Sequence, residues 1–218
     1  MKLNIITPCS RPQNLELIAR SILCGFIDKR LCLVPVRWWI VFDMNCLDYE
    51  QVNKACLSVS SEKYCVTQPT FLFNEKTGEA GHQHRNLVLD ILEEKNEKGW
   101  VYSVDDDNIL HENFYKISDE LNNKSDNISA IAVNQVFKTG EPNRSPVNGV
   151  PLKASAENMK VYFVDTAQVI FNLEKIKGMR FNSDKYNADG FFIQTLFEKE
   201  GNFIFIDEDL SYYNFLGV

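Results

Sequence analysis

The chain has 218 residues, 44% hydrophobic and 24% charged, which suits one sizeable domain with its own core. That balance excludes a disordered, collagen-like or coiled-coil protein. With 23 Lys and Arg against 30 Asp and Glu, the net charge of −7 excludes a nucleic-acid partner gripped by bulk charge.

Leu3–Thr7 is expected as a first strand, stopped by Pro8 and Pro12. Leu15, Ile18, Ala19, Ile22, Leu23 and Phe26 recur at helical spacing and predict a helix over Leu15–Phe26. Val36–Phe42 is a buried-strand run ending in Asp43, followed by a helix over Tyr49–Leu57 and a strand at Tyr64–Thr67. Gln68–Glu79 reads as polar loop, and Ala80–Lys95 as a helix with Leu87, Val88, Ile91 and Leu92 on its buried face. Trp100–Val104 is a strand, His111–Leu121 helical and Ile128–Phe137 a strand. Lys138–Leu152, punctuated by Gly140, Pro142, Pro146, Gly149 and Pro151, is a long loop. Tyr162–Asn172 returns to strand, Asp189–Lys199 to helix and Phe203–Ile206 to strand.

All six cysteines (Cys9, Cys24, Cys32, Cys46, Cys56, Cys65) fall in the first 65 residues, with no C-x-x-C pair and no His at zinc-site spacing. Buried free thiols and a cytoplasmic, reducing setting are expected. No stretch approaches the ~18 apolar residues of a membrane span, and the run from Leu3 to Ile6 is too short for a signal-peptide core.

Alternating strands and helices predict a three-layer α/β/α fold with a mixed, mostly parallel central sheet, in which ligands collect at the carboxyl ends of the strands. Three polar features fall there: Thr7-Pro8-Cys9-Ser10-Arg11, Asp43, and the triplet Asp105-Asp106-Asp107. No Lys or Arg lies within three residues of that triplet to offset its repulsion. If strand geometry continues, Asp105 and Asp107 share one side and Asp106 takes the other. Two carboxylates on one side suit a hard cation, Mn²⁺ or Mg²⁺. The plainer reading is that Asp107 or Asn108 caps the next helix while the other acids are solvated.

Gly81-His82-Gln83-His84-Arg85-Asn86-Leu87 and then Gly99-Trp100-Val101-Tyr102-Ser103-Val104-Asp105-Asp106-Asp107-Asn108 bring in a resemblance. The chain resembles GT-A glycosyltransferases, whose D-x-D motif binds a divalent metal and a nucleotide-sugar. Within them it is most similar to the β1,3-glucuronosyltransferases, with their R-N-L-A-L helix, D-D-D-N strand end and D-M-A-G-x-A-V-N strand. Asp165-Thr166-Ala167-Gln168-Val169-Ile170-Phe171-Asn172 echoes the last of these, and Asp189 then opens a helix.

The resemblance implies one GT-A domain over residues 1–218, with a nucleotide-binding half (1–108) and an acceptor-binding half (109–218). Thr7, Pro8 and Arg11 would line the nucleotide pocket. Asp43 would accept the uracil N3–H, a bond cytosine cannot offer. Arg85 would reach toward nucleotide or donor sugar, with Asn86 supporting the sugar side. Asp105 and Asp106 would contact ribose and sugar hydroxyls, and Asp107, with Asp105, the metal. Asp165 would face the sugars, and Asp189 would be the catalytic base.

The implied partners are a UDP-sugar donor and a glycan or similar hydroxyl acceptor. Where the family carries a His on its last strand, this chain reads Leu210-Ser211-Tyr212-Tyr213-Asn214-Phe215, and Tyr213 and Asn214 are the candidates to replace it. The acceptor-side loop is also dissimilar, so neither the donor sugar nor the acceptor is inherited, and oligomeric state is not legible.

Bland readings stand beside these roles. Arg11 suits an exposed surface position, Asp43 a helix cap, and Asp189 a helix N-terminal acid. His82 shares a helix face with Arg85 and is not expected to ligate metal. The aromatics read as core, with Tyr212 and Tyr213 the exceptions. Two other functions remain: a non-catalytic nucleotide-sugar-binding module, and a metal-dependent nucleotidyltransferase of similar fold. The second would carry a glycine-rich loop after the first strand, which Cys9-Ser10-Arg11 is not.

Overall fold

A computed structural model of the chain describes residues 2–26, 35–46, 48–60, 67–75, 78–122, 127–137 and 153–216. Strands β1 (Leu3–Cys9), β2 (Val36–Asp43), β3 (Thr67–Asn74) and β4 (Trp100–Ser103) alternate with helices α1 (Leu15–Phe26), α2 (Tyr49–Val59) and α3 (His82–Glu94). After them come β5 (Ile109–Leu110), α4 (Ser118–Asn122), β6 (Ala130–Phe137), β7 (Val169–Asn172), α5 (Ala188–Glu200) and β8 (Phe203–Tyr213).

The eight strands form one sheet in the order β3-β2-β1-β4-β7-β6-β8-β5. β3, β2, β1 and β4 are parallel; β7 runs against β4 and β6, and β5 against β8. The sheet is therefore mixed and mostly parallel.

Period-two alternation builds the layers. Leu3, Ile5, Trp38, Ile40 and Phe42 face a core completed by Leu15, Ile18 and Ile22 of α1 and Val52 and Val59 of α2. Ile6, Trp39 and Val41 face the opposite core with Val88 and Leu92 of α3 and Phe192, Ile193 and Leu196 of α5. Two indoles are anchored by polar partners within these layers: Trp38 Nε1 donates to Thr7 Oγ1 at 2.9 Å and Trp39 Nε1 to Asn4 Oδ1 at 3.0 Å.

Several elements differ from the sequence reading. Most of the polar loop expected at Gln68–Glu79 is strand β3, which Pro69 does not interrupt because β3 is an edge strand with spare backbone positions. The strand expected over Tyr162–Asn172 is confined to β7. Asp165 breaks the run by accepting from Ala167 N at 2.8 Å and closing a capping box with Gln168, which starts a 3-10 turn at Thr166–Gln168.

The helix expected at His111–Leu121 is a 3-10 turn (Glu112–Ile117) running into α4. The last strand continues to Tyr213, seven residues further than expected. Lys138–Leu152 lies outside the described residues, as do Cys32, Cys65 and the first residues of the strand expected at Tyr64–Thr67. Cys9, Cys24 and Cys56 are free, and of these three Cys24 is exposed and Cys56 half-buried, so Cys9 alone among them fits the expectation of buried thiols. Among the described residues, no helix is long and apolar enough to cross a membrane.

Candidate active site

Parallel pairing places the site. β1 lies between β2 and β4, and Val104 N donates to Ile6 O at 2.9 Å, so the segments leaving these three strands emerge side by side. Strand geometry does not continue through the acidic triplet. It turns, with Asn108 N donating to Asp105 O at 3.0 Å. The expected division of side chains still arises: Asp105 and Asp107 face the open cleft, and Asp106 points back into the fold.

Asp106 is the organiser. Its Oδ2 accepts from Ser10 N (2.7 Å), Ser10 Oγ (3.0 Å) and Arg11 N (2.8 Å), while Oδ1 accepts from Arg11 Nε (2.9 Å). Asn14 Nδ2 holds the Asp106 carbonyl at 2.9 Å. The same guanidinium reaches Asp107 Oδ2 with Nη2 at 2.8 Å. Arg85, only 2% exposed, supplies the second compensating charge by pairing with Asp105. Its Nε donates to Ser103 Oγ (2.7 Å) and its Nη1 to Ala80 O (2.6 Å) and His82 Nδ1 (3.1 Å). The charges that make the triplet tolerable thus come from α3 and from the segment after β1, not from sequence neighbours.

Neither Asp107 nor Asn108 caps the following turn; His111 does, its Nδ1 accepting from Asn113 N at 3.1 Å. Asn108 Oδ1 instead accepts from Asn214 N at 2.6 Å, and Leu216 N donates to Asp107 O at 2.8 Å. These bonds hold the C-terminal segment against the triplet and bring Tyr213 to the site.

Two adjoining cavities share Ala80, Asp105, Asp107 and Tyr186 on their walls. The smaller, about 250 Å³, opens among Pro8, Cys9, Ser10, Arg11, Asp43 and the triplet. Gly81 keeps its floor close to β1: at φ +70° a Cβ there would lie 2.7 Å from the Pro8 Cβ. Asp43 lines this cavity while Oδ1 accepts from Asn45 N at 3.0 Å in the turn that follows β2; the cap of α2 is Asp48, not Asp43. The larger cavity, about 420 Å³, is lined by Arg85, Asp105, Asp107, Asp165, Asp189 and Tyr213 together with Tyr162 and Tyr186.

Two candidate residues are not brought to the cavities. Thr7 is buried beneath Trp38. Asn86 spends both ends of its amide on the Phe181 backbone, at 2.8 and 2.9 Å. Sequence reasoning missed Tyr162 and Tyr186, which sit outside regular elements. It also gave no role to His82, whose Nε2 bonds Tyr186 O at 3.2 Å while Nδ1 accepts from Arg85.

Burial, with Asp189 and Asp105 close by, pushes the Asp165 carboxyl up to about 7. Asp189 is also raised, chiefly by burial, with the Gly190 amide and Arg85 opposing. Burial and neighbouring Asp105 raise Asp107. His82 is lowered to about 4 by burial and the Arg85 guanidinium, which keeps it neutral and able to accept from that arginine.

These shifts act on stability in opposite senses. A raised carboxyl such as Asp165 contributes stability that is complete below about pH 4 and lost as the pH rises through about 7. A lowered His82 contributes stability present above about pH 6.5 and lost as the pH falls through about 4. Comparing wild type with Asp165→Asn cancels the His82 contribution. The difference in thermal midpoint should move in the variant's favour as the pH rises from about 4 to about 7; a difference that does not vary with pH contradicts the assignment.

Asp105 Oδ2 and Asp107 Oδ1 carry no hydrogen bond among the described residues, whereas each partner oxygen is held by an arginine. Among the described residues, no group of three or more His, Cys, Asp or Glu forms a metal cage. A two-carboxylate edge facing a cleft fits Mg²⁺ or Mn²⁺ shared with substrate phosphates and water, the usual habit of these cations.

No protein-family model and no curated protein matches the chain. Solved structures do. S. aureus TarS 1–349 in complex with UDP-GlcNAc is 15% identical, with a TM-score of 0.65 over 98% of this chain and 58% of that one. Mannosyltransferase PcManGT from Pyrobaculum calidifontis, in complex with GDP-Man and Mn²⁺, is 10% identical, with a TM-score of 0.67 over 98% of this chain and 56% of that one. A provisionally named glucose-1-phosphate thymidylyltransferase from Bacillus anthracis, in complex with a sucrose, is 14% identical, with a TM-score of 0.53 over 96% and 87%. The fold is therefore of the GT-A, Rossmann-like type. The chain spans about 60% of the length of TarS 1–349.

Proposed function

We propose that the protein transfers a sugar from a UDP-sugar to a hydroxyl of a glycan or similar acceptor, with inversion at the anomeric carbon and with Mn²⁺ or Mg²⁺ as cofactor. The observation that carries this reading is the meeting of two cavities at Asp105 and Asp107, with the Asp165 and Asp189 carboxylates lining the larger of them. The smaller cavity takes the nucleotide, with Asp43 offered to the uracil and Arg11 beside the diphosphate. The larger takes the sugar and the acceptor. The glycosyltransferase neighbours, solved with UDP-GlcNAc and with GDP-Man and Mn²⁺, support donor and cation alike.

Asp105 and Asp107 would hold the cation, which when bound neutralises charge gathering on the departing diphosphate. Asp106 does not reach the sugar in this reading; it positions Ser10 and Arg11 around the nucleotide. Asp189 takes the acceptor proton as the hydroxyl oxygen bonds to the anomeric carbon and the bond to the diphosphate breaks. Asp189 suits that role better than Asp165. Asp165 Oδ1 is fixed by Ala167 N and by the Gln135 side chain from β6, at 2.8 and 3.4 Å, whereas Asp189 Oδ1 accepts from the adjacent Gly190 N at 2.8 Å. A proton held on Asp165 leaves the negative charge of the pair on Asp189.

Nucleotidyl transfer is the second reading, favoured by the B. anthracis neighbour. Against it, the amides of Ser10 and Arg11, which would cradle a triphosphate, are already taken by Asp106 Oδ2. Calorimetric titration with UDP tests the nucleotide site. Binding to wild type should need Mn²⁺ and should weaken at least about tenfold in Asp107→Ala; equal affinity of the two proteins in Mn²⁺ removes the cation site from the proposal.

A further inference from the structure

We infer that the larger cavity takes an uncharged sugar as acceptor, stacked against Tyr162 and Tyr186, and rejects anionic glycans. This rests on the glycosyl-transfer reading above and names the acceptor class for the same site. Tyr162 and Tyr186 are 64% and 74% exposed and stand at the rim of the cavity. An exposed aromatic beside a polar cavity offers the flat apolar face against which the C–H face of a pyranose packs. The volume of about 420 Å³ holds a sugar ring with room for a second.

Neither tyrosine is there by accident of a loose loop. Tyr162 has φ +72°, a conformation that is costly for an aromatic residue and persists only where its surroundings impose it. Val161 N donates to Gln194 Oε1 of α5 at 3.1 Å. Gly190 lets the two segments touch, since a Cβ there would lie 2.8 Å from the Val161 Cα. The glycine that follows Asp189 therefore seats Tyr162 beside the proposed base. Tyr186 is held from the other side, its carbonyl bonded by His82.

Charge supplies the selection. Asp105 and Asp107 are paired with Arg85 and Arg11, but neither Asp165 nor Asp189 has an ion pair among the described residues. Among the described residues no lysine lines the cavity: Lys160 lies over the Phe163 ring at 4.4 Å and Lys185 over Phe191 at 5.0 Å. A divalent cation entering with a diphosphate brings little net change, so a carboxylate or phosphate on the acceptor would meet the net negative charge left on Asp189.

Saturation-transfer NMR in the presence of UDP and Mn²⁺ tests this with methyl glucoside, methyl glucuronide and glucose 6-phosphate. Saturating the tyrosine ring protons should give signal to the neutral glycoside alone. Tyr162→Ala should weaken that binding about tenfold and Tyr162→Phe should retain it. Signal to the anionic sugars equal to that of the glucoside overturns the inference. So does an unchanged signal in Tyr162→Ala, or none from any sugar while UDP binds. Loss of UDP binding by the wild type would count instead against the donor reading.

Discussion

Asp189→Asn should lower sugar transfer by about 10²–10⁴-fold, the typical contribution of a positioned general base, and leave UDP affinity within twofold. The fold gives no reason for a wider effect. The asparagine Oδ1 can still accept from Gly190 N, as Asp189 does at 2.8 Å, so the first turn of α5 keeps its geometry. What disappears is the ability to take a proton beside the sugar. Transfer kinetics over a range of pH check this: the wild-type rate should fall as Asp189 is protonated, and the residual rate of the variant should not follow that titration. Wild-type turnover in Asp189→Asn removes this residue from the chemistry.

Asp106→Ala should cost about 3 kcal/mol of folding stability, at the low end of the penalty for breaking a buried ion pair. Its side chain is 5% exposed and satisfies two backbone amides, a hydroxyl and a guanidinium, all from residues 10 and 11. Arg11 is 39% exposed and keeps Asp107, which limits the loss. The thermal midpoint should drop by roughly 6–12 °C for a chain of this size, and UDP binding should weaken because the segment after β1 loses its anchor. Asp106→Asn keeps an acceptor for the amides without the charge, so it should fall between wild type and Asp106→Ala. A midpoint unmoved in Asp106→Ala contradicts the organising role.

Much of the N-terminal half could be read from the chain because its signals are local. β1, α1 and β2 bury continuous or helically spaced apolar residues, and each strand end carries its polar residue within a few positions. The separation of Asp105 and Asp107 from Asp106 was legible too, although a turn and not a strand produces it. The misreadings have two causes, a distant strand partner and a local side-chain bond. Gln68–Asn74, read as loop, becomes strand because β2 offers it an edge. Tyr162-Phe163-Val164 has the composition of a strand, and the Asp165 capping box ends that possibility.

The site divides in the same way. Arg11 meets Asp106 from 95 positions away, and Arg85 meets Asp105 from 20, so neither pairing leaves a trace in local pattern. Tyr162 and Tyr186 depend on a glycine in α5 and a histidine in α3.

The most direct test of glycosyl transfer is donor consumption. The protein should be incubated with Mn²⁺ and each of a panel of UDP-sugars, and the products resolved as UDP and free sugar. One donor should be hydrolysed slowly without acceptor and faster with a neutral sugar acceptor, giving a product of inverted anomeric configuration. If no nucleotide-sugar is consumed, and a sugar 1-phosphate with UTP releases pyrophosphate instead, the protein is a nucleotidyltransferase and the glycosyl-transfer reading is wrong.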